Sequence, residues 1–202
     1  MIYLASRSPR RRELLTQIGV RFHLLLFRER VGEHPEIEEK PHEGEAPPAY
    51  VERMARTKAD AGWRRMLQRN LPPAPVLAAD TTVALEGRIF GKPANRAEAE
   101  AMLAALSGKR HEVLTAVAIK HRDRLELALS SSEVQLKGLS PDEIAQYAAS
   151  GEGDDKAGAY AIQGRAARFI AELRGSYSGV MGLPLYETSQ LLDKLHERRN
   201  PY

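Results

Sequence analysis

Residues 1–19 restrict the possible folds most, because they read as a strand, a tight polar loop and a helix. Ile2 to Ala5 is a short apolar run. Ser8 followed by Pro9 is a typical N-cap with proline at the first helical position, and Gly19 is a typical helix end. A helix that begins at the carboxyl end of a first strand directs its free N–H groups to the place where α/β sheets bind ligands.

Two arginines in the first helical turn favour an anion at this place. Arg10 and Arg11 oppose the helix dipole, so helix stability alone does not select them, whereas a bound phosphate would. Arg11, Leu15 and Ile18 share one helical face, which predicts that Arg11 runs along the buried side. A solvated basic helix start is the alternative, and the position after the first strand favours the functional interpretation.

An acidic loop follows the second apolar run, Phe22 to Phe27. Seven glutamates lie between Glu29 and Glu45, among prolines that prevent regular structure. A loop of this length inside a compact domain is usually functional or disordered. We single out Glu33, just after the strand, and expect most of the other glutamates to be solvated.

The next segment, residues 49–68, has a helical period of apolar residues. Lys58 falls on the apolar face, seven residues after Val51 and four after Met54. Its stem should therefore cross packed surface while its ammonium group emerges at an edge or a cleft. A lysine that only covers the core with its stem is the alternative.

A single carboxylate interrupts the buried β run from Val76 to Leu85. Asp80 at the centre of this run is costly unless it is protonated, hydrogen-bonded or bound to a metal, so it is the best candidate for an active-site residue. An aspartate that caps a neighbouring turn is the alternative. Glu86-Gly87 predicts a hairpin turn, and the bend before Pro93 suits Lys92 as a cation directed into a site.

The second half of the chain is regular. Its apolar runs and turn residues predict, in order, strands at 111–119 and 125–136, a helix from the capping box at Ser140 to 149, an apolar run at 159–162 with Gln163 at its end, a strand at 169–173, a glycine-rich turn and a helix at 185–196. Strands that alternate with helices predict an α/β fold with a mixed, twisted sheet and a cleft between two lobes. No repeat or domain boundary is visible, so we expect one domain over 1–202.

Composition restricts the functional class. The chain is 43% hydrophobic and 28% charged, which is typical of globular proteins, and its lack of cysteine excludes disulfides and thiolate chemistry. We see no signal peptide and no apolar run of about 18 residues, so we expect a cytoplasmic protein without a membrane partner. A net charge of +3 is a weak signal for nucleic acid, and we expect no stable nucleic-acid partner.

With these segments in hand, the chain resembles the Maf family of nucleoside triphosphate pyrophosphatases over nearly its whole length. The resemblance rests on LASRSPRR at the start, AADTTV around Asp80, FGKP around Lys92, LSGKRHEVLTAVAI in the middle, and DKAGAYAIQG followed by GVMGLPL near the end. The AYAIQG segment is similar to the branch that prefers dTTP and UTP rather than the branch that acts on 7-methyl-GTP. The family implies two α/β lobes around a long sheet, cleavage to nucleoside monophosphate and pyrophosphate, a divalent cation and frequent homodimers.

The resemblance also implies roles for individual residues. Asp80 would be the proton acceptor, and Arg11, Thr81 and Gln163 would set the choice of substrate. Four residues would line the phosphate path: Ser6, Arg11, Lys58 and Lys92. Glu33 falls on the acidic position of the family's loop, where it could bind metal together with Asp80.

The chemistry that these residues support is an attack of water on the α-phosphorus with Mg²⁺ or Mn²⁺ as cofactor. Sequence leaves open whether Asp80 acts as base, as metal ligand or as both. Gln163 could read the acceptor and donor on the edge of uracil and thymine, provided that its neighbours fix its amide, because a rotated amide would suit cytosine. The alternatives are another base (7-methyl-GTP, CTP or modified nucleotides) and a nucleotide-binding or DNA-binding regulator without turnover.

Overall fold

The computed structural model describes residues 1–26, 37 and 39–197. Seven strands form one sheet in this part of the chain: β1 (Ile2–Leu4), β2 (Phe22–Leu24), β3 (Val76–Leu85), β4 (Arg88–Phe90), β5 (Arg110–His121), β6 (Arg124–Leu136) and β7 (Ile170–Arg174). The helices are α1 (Pro9–Gln17), α2 (Pro47–Gln68), α3 (Arg96–Leu106), α4 (Pro141–Ala149), α5 (Tyr177–Met181) and α6 (Leu185–Glu197). Two short 3-10 helices cover Ala157–Ala159 and Arg165–Phe169. No described helix combines the length and the apolar character needed to cross a membrane.

The sheet is mixed, as the alternation of elements predicted. Its strand order is β2-β1-β3-β5-β6-β7, with β4 paired to the end of β3. β1 runs parallel to both β2 and β3, and the other pairs are antiparallel. The predicted hairpin turn is confirmed, since Glu86 and Gly87 both have positive φ, at 52° and 80°. That backbone matches the twist of two-residue hairpins.

One edge of β3 is open in the middle. β1 pairs with Val76 and Leu77 at one end, and β4 pairs with β3 from Val83 onward. Within the described part of the chain, residues 78–82 therefore have no strand beside them on that edge. The opposite edge is paired with β5 from Val76 to Ala84. The sequence places Asp80 and Thr81 inside this gap, where side chains from both faces of the sheet can reach one cleft.

Three apolar clusters pack around the sheet, two before the gap and one beyond it. On one face, α2 packs Val51, Ala55 and Ala59 against the sheet; on the other, α1 and α6 pack Leu15 and Leu191. Beyond the gap, α3 and α4 cover a cluster around the far ends of the long strands. The result is two lobes joined by strands that run through both of them.

A glycine brings α2 close to the sheet. A Cβ atom at Gly62 would lie 2.7 Å from Val76 Cγ1 and 3.0 Å from the Ala5 side chain, so a larger residue would push the helix outward. Lys58, one turn earlier on the same face, is thereby held within reach of β3.

Several element boundaries differ from the prediction. β2 ends at Leu24 rather than Phe27, which lies outside the described residues. The predicted glycine-rich turn contains α5, a helix capped by Ser176 and ended by Gly182 at φ 118°. The helix predicted for residues 49–68 begins two residues earlier, at Pro47.

Candidate active site

A cavity of about 820 Å³ lies beside the unpaired edge of β3, at residues 78–82. This volume is typical of small-molecule sites. It brings together seven of the eight residues predicted for the site: Ser6, Arg11, Lys58, Asp80, Thr81, Lys92 and Gln163. The eighth, Glu33, lies outside the described residues. The fold therefore brings these seven residues to the wall of one cavity.

The loop before α1 supplies the first wall. The N-cap prediction is confirmed, since Ser8 Oγ accepts the Arg11 N–H at 3.5 Å. Ser6 Oγ accepts from the Ser8 N–H at 3.2 Å and from Arg11 Nη1 at 3.3 Å. These contacts fold the loop around the open end of the helix. The predicted buried face is wrong at one position, because Leu15 is fully buried whereas Ile18 is 37% exposed.

Arg11 connects this loop to the second half of the chain. Its Nε donates to the carbonyl oxygen of Gly182 at 2.7 Å, and its Nη2 donates to Thr81 Oγ1 at 3.4 Å. Burial lowers the pKa of the Arg11 guanidinium, and the negative charge of Asp80 partly opposes that shift. An arginine in this position stays protonated, and a further anion such as a phosphate would stabilise its buried charge.

Asp80 and Lys58 form an ion pair at the floor of the cavity. Asp80 is 8% exposed, and its Oδ1 lies 2.5 Å from Lys58 Nζ. The prediction that the Lys58 ammonium emerges in a cleft is confirmed. A second carboxylate, Glu39, contacts the same ammonium at 2.6 Å through Oε1 and Lys92 Nζ at 3.3 Å through Oε2. Two carboxylates and two ammonium groups thus form one chain of contacts.

Glu39 is the site residue that sequence reasoning missed. It is one of seven glutamates in the acidic loop, and no period or neighbouring motif distinguishes it from the others. Burial raises its pKa, but the charges and hydrogen bonds of Lys58 and Lys92 outweigh burial and lower the pKa to about 2. Glu39 is therefore ionised at neutral pH.

The segment that carries Gln163 is a folded turn, so the prediction that Gln163 follows a strand is wrong. Gly158 and Ala159 have φ of 70° and 59°, which breaks any extended run. The carboxamide of Gln163 is exposed in the cavity and makes no hydrogen bond within the described part of the chain. The condition that neighbours fix its orientation is thus not met by residues 1–26, 37 and 39–197.

Two side chains brace this turn from behind. The Tyr147 hydroxyl accepts the Ala161 N–H at 3.0 Å and donates to Glu152 Oε1 at 3.1 Å. The same carboxylate oxygen accepts the Arg165 N–H at 2.8 Å. The backbone on both sides of Gln163 is therefore anchored while the side chain is not.

Thr81 lies in a chain of buried hydroxyls. Its Oγ1 is 3.0 Å from Thr115 Oγ1, which is 2.8 Å from the carbonyl oxygen of Gly179 in α5. Thr115 has no solvent exposure, whereas Thr81 lines the cavity. The next residues on the same face, Val83 and Val113, are apolar and also line it. The cavity thus has a charged end around Asp80 and an apolar end around Val83.

The charged end suits a divalent cation bound with a polyanion. Among the described residues, no group of three or more histidines or carboxylates is arranged to hold a metal. Asp80 and Glu39 nevertheless converge on one ammonium group, so their oxygens can face one cation. Hard divalent cations take carboxylate oxygens together with substrate phosphates.

Comparison with known proteins agrees with this arrangement. The family model described as Maf-like protein matches residues 1–195. Proteins named dTTP/UTP pyrophosphatase are 59% identical in Aromatoleum aromaticum, over 95% of this chain and 94% of that protein, and 56% identical in Nitrosomonas europaea, over 96% and 93%. The Dechloromonas aromatica protein of that name is 54% identical, over 96% of both chains.

A solved structure, that of the Staphylococcus aureus Ham1 protein, aligns with a TM-score of 0.46 at 17% identity, over 83% of this chain and 90% of that one. That similarity is too low to add to the family match. A family model that covers residues 1–195, together with relatives more than half identical over nearly their full length, shows that this chain belongs to the Maf family.

Proposed function

We propose that this chain is a nucleoside triphosphate pyrophosphatase that hydrolyses dTTP and UTP to the nucleoside monophosphate and pyrophosphate. The observation that carries the proposal is the cavity itself. It holds a buried carboxylate, Asp80, beside cations at one end and an apolar surface at the other. Relatives that share more than half of this sequence are named for that activity.

The charged end would hold the triphosphate. Ser6, Lys58 and Lys92 offer donors from the α1 loop, α2 and the bend after β4. Arg11 lies between the two ends of the cavity, since its Nη1 contacts Ser6 and its Nη2 contacts Thr81, so it can donate both to phosphate and to the base. Glu39 contacts both lysines and Asp80 also pairs with Lys58, so a triphosphate would compete with two carboxylates for the two ammonium groups. Donors fixed by the fold are worth most when they contact charge that develops in the transition state.

Asp80 would accept the proton of the attacking water. The water oxygen forms a bond to the α-phosphorus, the bond from that phosphorus to the bridging oxygen breaks, and pyrophosphate leaves with the electron pair. Asp80 and Glu39 would hold a Mg²⁺ or Mn²⁺ ion, which when bound supplies positive charge to the phosphate oxygens. Glu33 remains a further candidate ligand. Lys58 would then be free to contact phosphate.

The apolar end would hold the base. Val83, Val113 and Val180 provide apolar contacts, while Gln163 and Thr81 provide polar groups in the same cavity. A mostly apolar pocket with few polar groups is the usual design of a base site.

Two variants at aspartates test the proposal. Asp80→Asn should abolish pyrophosphate release from UTP and dTTP with little loss of folding, because the side chain keeps its shape and Lys58 keeps a second carboxylate partner, Glu39, at 2.6 Å. Asp60→Asn is the matched control, since Asp60 is 43% exposed and pairs with Lys120 at 3.1 Å, away from the cavity. Near wild-type release by folded Asp80→Asn protein would overturn the role of Asp80.

A panel of triphosphates with and without EDTA tests substrate and cofactor. We expect release from UTP and dTTP to stop in EDTA and to return with Mg²⁺ or Mn²⁺. Faster turnover of 7-methyl-GTP, CTP or a modified nucleotide would assign the site to another base. A homodimer and a cytoplasmic location stay predictions, to be checked by sedimentation and by fractionation of cells.

A further inference from the structure

The hydroxyl chain behind the cavity has only one possible direction. Thr115 Oγ1 lies 2.8 Å from the carbonyl oxygen of Gly179, and two buried oxygens at that distance need a proton between them. The carbonyl has no proton to give, so the Thr115 hydroxyl donates to it. The same carbonyl also accepts the Gly182 N–H at 2.9 Å, which fixes its place.

The direction of this hydrogen bond also fixes the hydrogen bond between Thr115 and Thr81. The two threonine oxygens lie 3.0 Å apart, and the single proton of Thr115 is already used. The Thr81 hydroxyl must therefore donate to Thr115. Arg11, which can only donate, contacts the Thr81 oxygen from the cavity side at 3.4 Å. Thr81 consequently presents only acceptor capacity to a ligand, next to a guanidinium that presents only donors.

That pair of groups matches one class of base. Uracil and thymine carry a carbonyl acceptor beside the N3–H donor, so they complement a donor beside an acceptor. Cytosine carries an amino donor beside the N3 acceptor and would set an acceptor against Thr81. Adenine has the same reversed pair as cytosine, and guanine has the pair of uracil. Such a contact selects keto bases over amino bases, and it leaves guanine to be excluded by size.

We propose that Thr115 is a positioning residue for base selection: it fixes the Thr81 hydroxyl as an acceptor for the N3–H of uracil and thymine, and so excludes cytosine. The inference rests on the proposed function, because it needs a base at the apolar end of the cavity. The fixed Thr81 hydroxyl can distinguish donor from acceptor on the base, which the freely rotating carboxamide of Gln163 cannot do. Thr115 itself does not line the cavity.

Thr115→Val tests the proposal because it removes the hydroxyl and frees the Thr81 proton to turn toward the substrate. We expect the ratio of kcat/KM for UTP to kcat/KM for CTP to fall about tenfold, with part of the change a gain for CTP, since one hydrogen bond of the wrong polarity becomes one of the right polarity. General damage to the fold cannot raise the rate on CTP. Thr115→Ser keeps a donor at the same place and should restore the wild-type ratio.

Thr82→Val is the matched control. Thr82 is 1% exposed, it is adjacent to Thr81 on β3, and its hydroxyl has no hydrogen-bond partner within the described residues. It therefore loses a buried hydroxyl without breaking the chain, and its UTP to CTP ratio should equal that of the wild type. Equal losses on UTP and CTP in Thr115→Val, with the ratio intact, would overturn the proposal.

A substrate analogue keeps the test valid if Thr115→Val does not fold. In 3-methyl-UTP a methyl group replaces the N3 proton and O4 stays a carbonyl, so wild-type kcat/KM should fall about tenfold or more relative to UTP. Equal efficiency on both compounds would overturn the inference while pyrophosphate release from UTP would still support the proposed function. A wild-type protein that releases no pyrophosphate from any triphosphate would overturn both.

Discussion

His111 makes the stability of the protein depend on pH, although it lies outside the cavity. His111 lies in the lobe covered by α3 and α4, where it is 2% exposed, and its Nε2 lies 2.8 Å from the Tyr160 hydroxyl. Burial disfavours the charged ring and lowers the pKa of His111 from 6.5 to about 4. The folded protein thus holds His111 neutral in a range where the unfolded chain protonates it.

The sign and size follow from linkage. Between pH 6.5 and 4 the unfolded chain binds more protons at this position, so stability falls as the pH is lowered through that range. A gap of this size costs about 2 kcal/mol of unfolding free energy between pH 7 and 5, and about 3 kcal/mol by pH 4.

Urea unfolding at pH 7, 6 and 5 measures this cost as a difference between proteins. His111→Gln cannot titrate, so between pH 7 and 5 the wild type should lose about 2 kcal/mol more than the variant. Tyr160→Phe is the control for the cause, because it removes the hydrogen-bond partner and keeps the ring buried. It should retain the wild-type pH dependence. Equal slopes for the wild type and His111→Gln would refute the reasoning.

Three further predictions concern the cavity and its frame. Lys92→Ala should lower kcat on UTP about a hundredfold and raise KM less, because the contacts of Lys92 strengthen in the transition state. The control is Lys137→Ala, which should keep both constants because Lys137 pairs with Glu143 at 2.6 Å, away from the cavity. A change in KM alone would show that Lys92 only binds the substrate. Gln163→Ala should lower kcat/KM for UTP and CTP by similar factors, because its amide is free to rotate, and a tenfold fall in their ratio would show instead that Gln163 sets the choice of pyrimidine. Gly153→Ala should cost about 2 kcal/mol of unfolding free energy in urea, since its Cβ would lie 2.1 Å from the carbonyl oxygen of Ala159. Gly138→Ala is the control and should be nearly neutral, because the space around Gly138 is open. Equal losses of stability in the two variants would contradict this prediction.

Local chemistry was readable in the sequence wherever one residue type has one strong structural preference. The N-cap at Ser8, the capping box at Ser140, the hairpin turn and the buried position of Asp80 all depend on near neighbours in the chain. Lys58 was predictable because helical spacing fixes the face it occupies. The family resemblance then collected these positions into one site.

Contacts between distant segments were not readable. Glu39 contacts Lys58 and Lys92 only because the fold brings three distant segments together, and on composition alone any of the seven glutamates could have made these contacts. Residues 159–162 are apolar enough for a strand, yet tertiary contacts from Tyr147 and Glu152 hold them in a turn. The orientation of the Thr115 hydroxyl depends on the Gly179 carbonyl in α5. The sequence did not predict α5, because it is only five residues long and contains a glycine.

The gap in β3 also limits how the cleft can change its width. The lobes share β3, β5 and β6, which continue through both of them. Lys58 stands in one lobe and Lys92 in the other, so the spacing of the two ammonium groups is held by the sheet. Opening the cleft would require bending three hydrogen-bonded strands together. We therefore expect a cleft of nearly constant width, in which the substrate adapts to the protein and rearrangement on binding is confined to side chains.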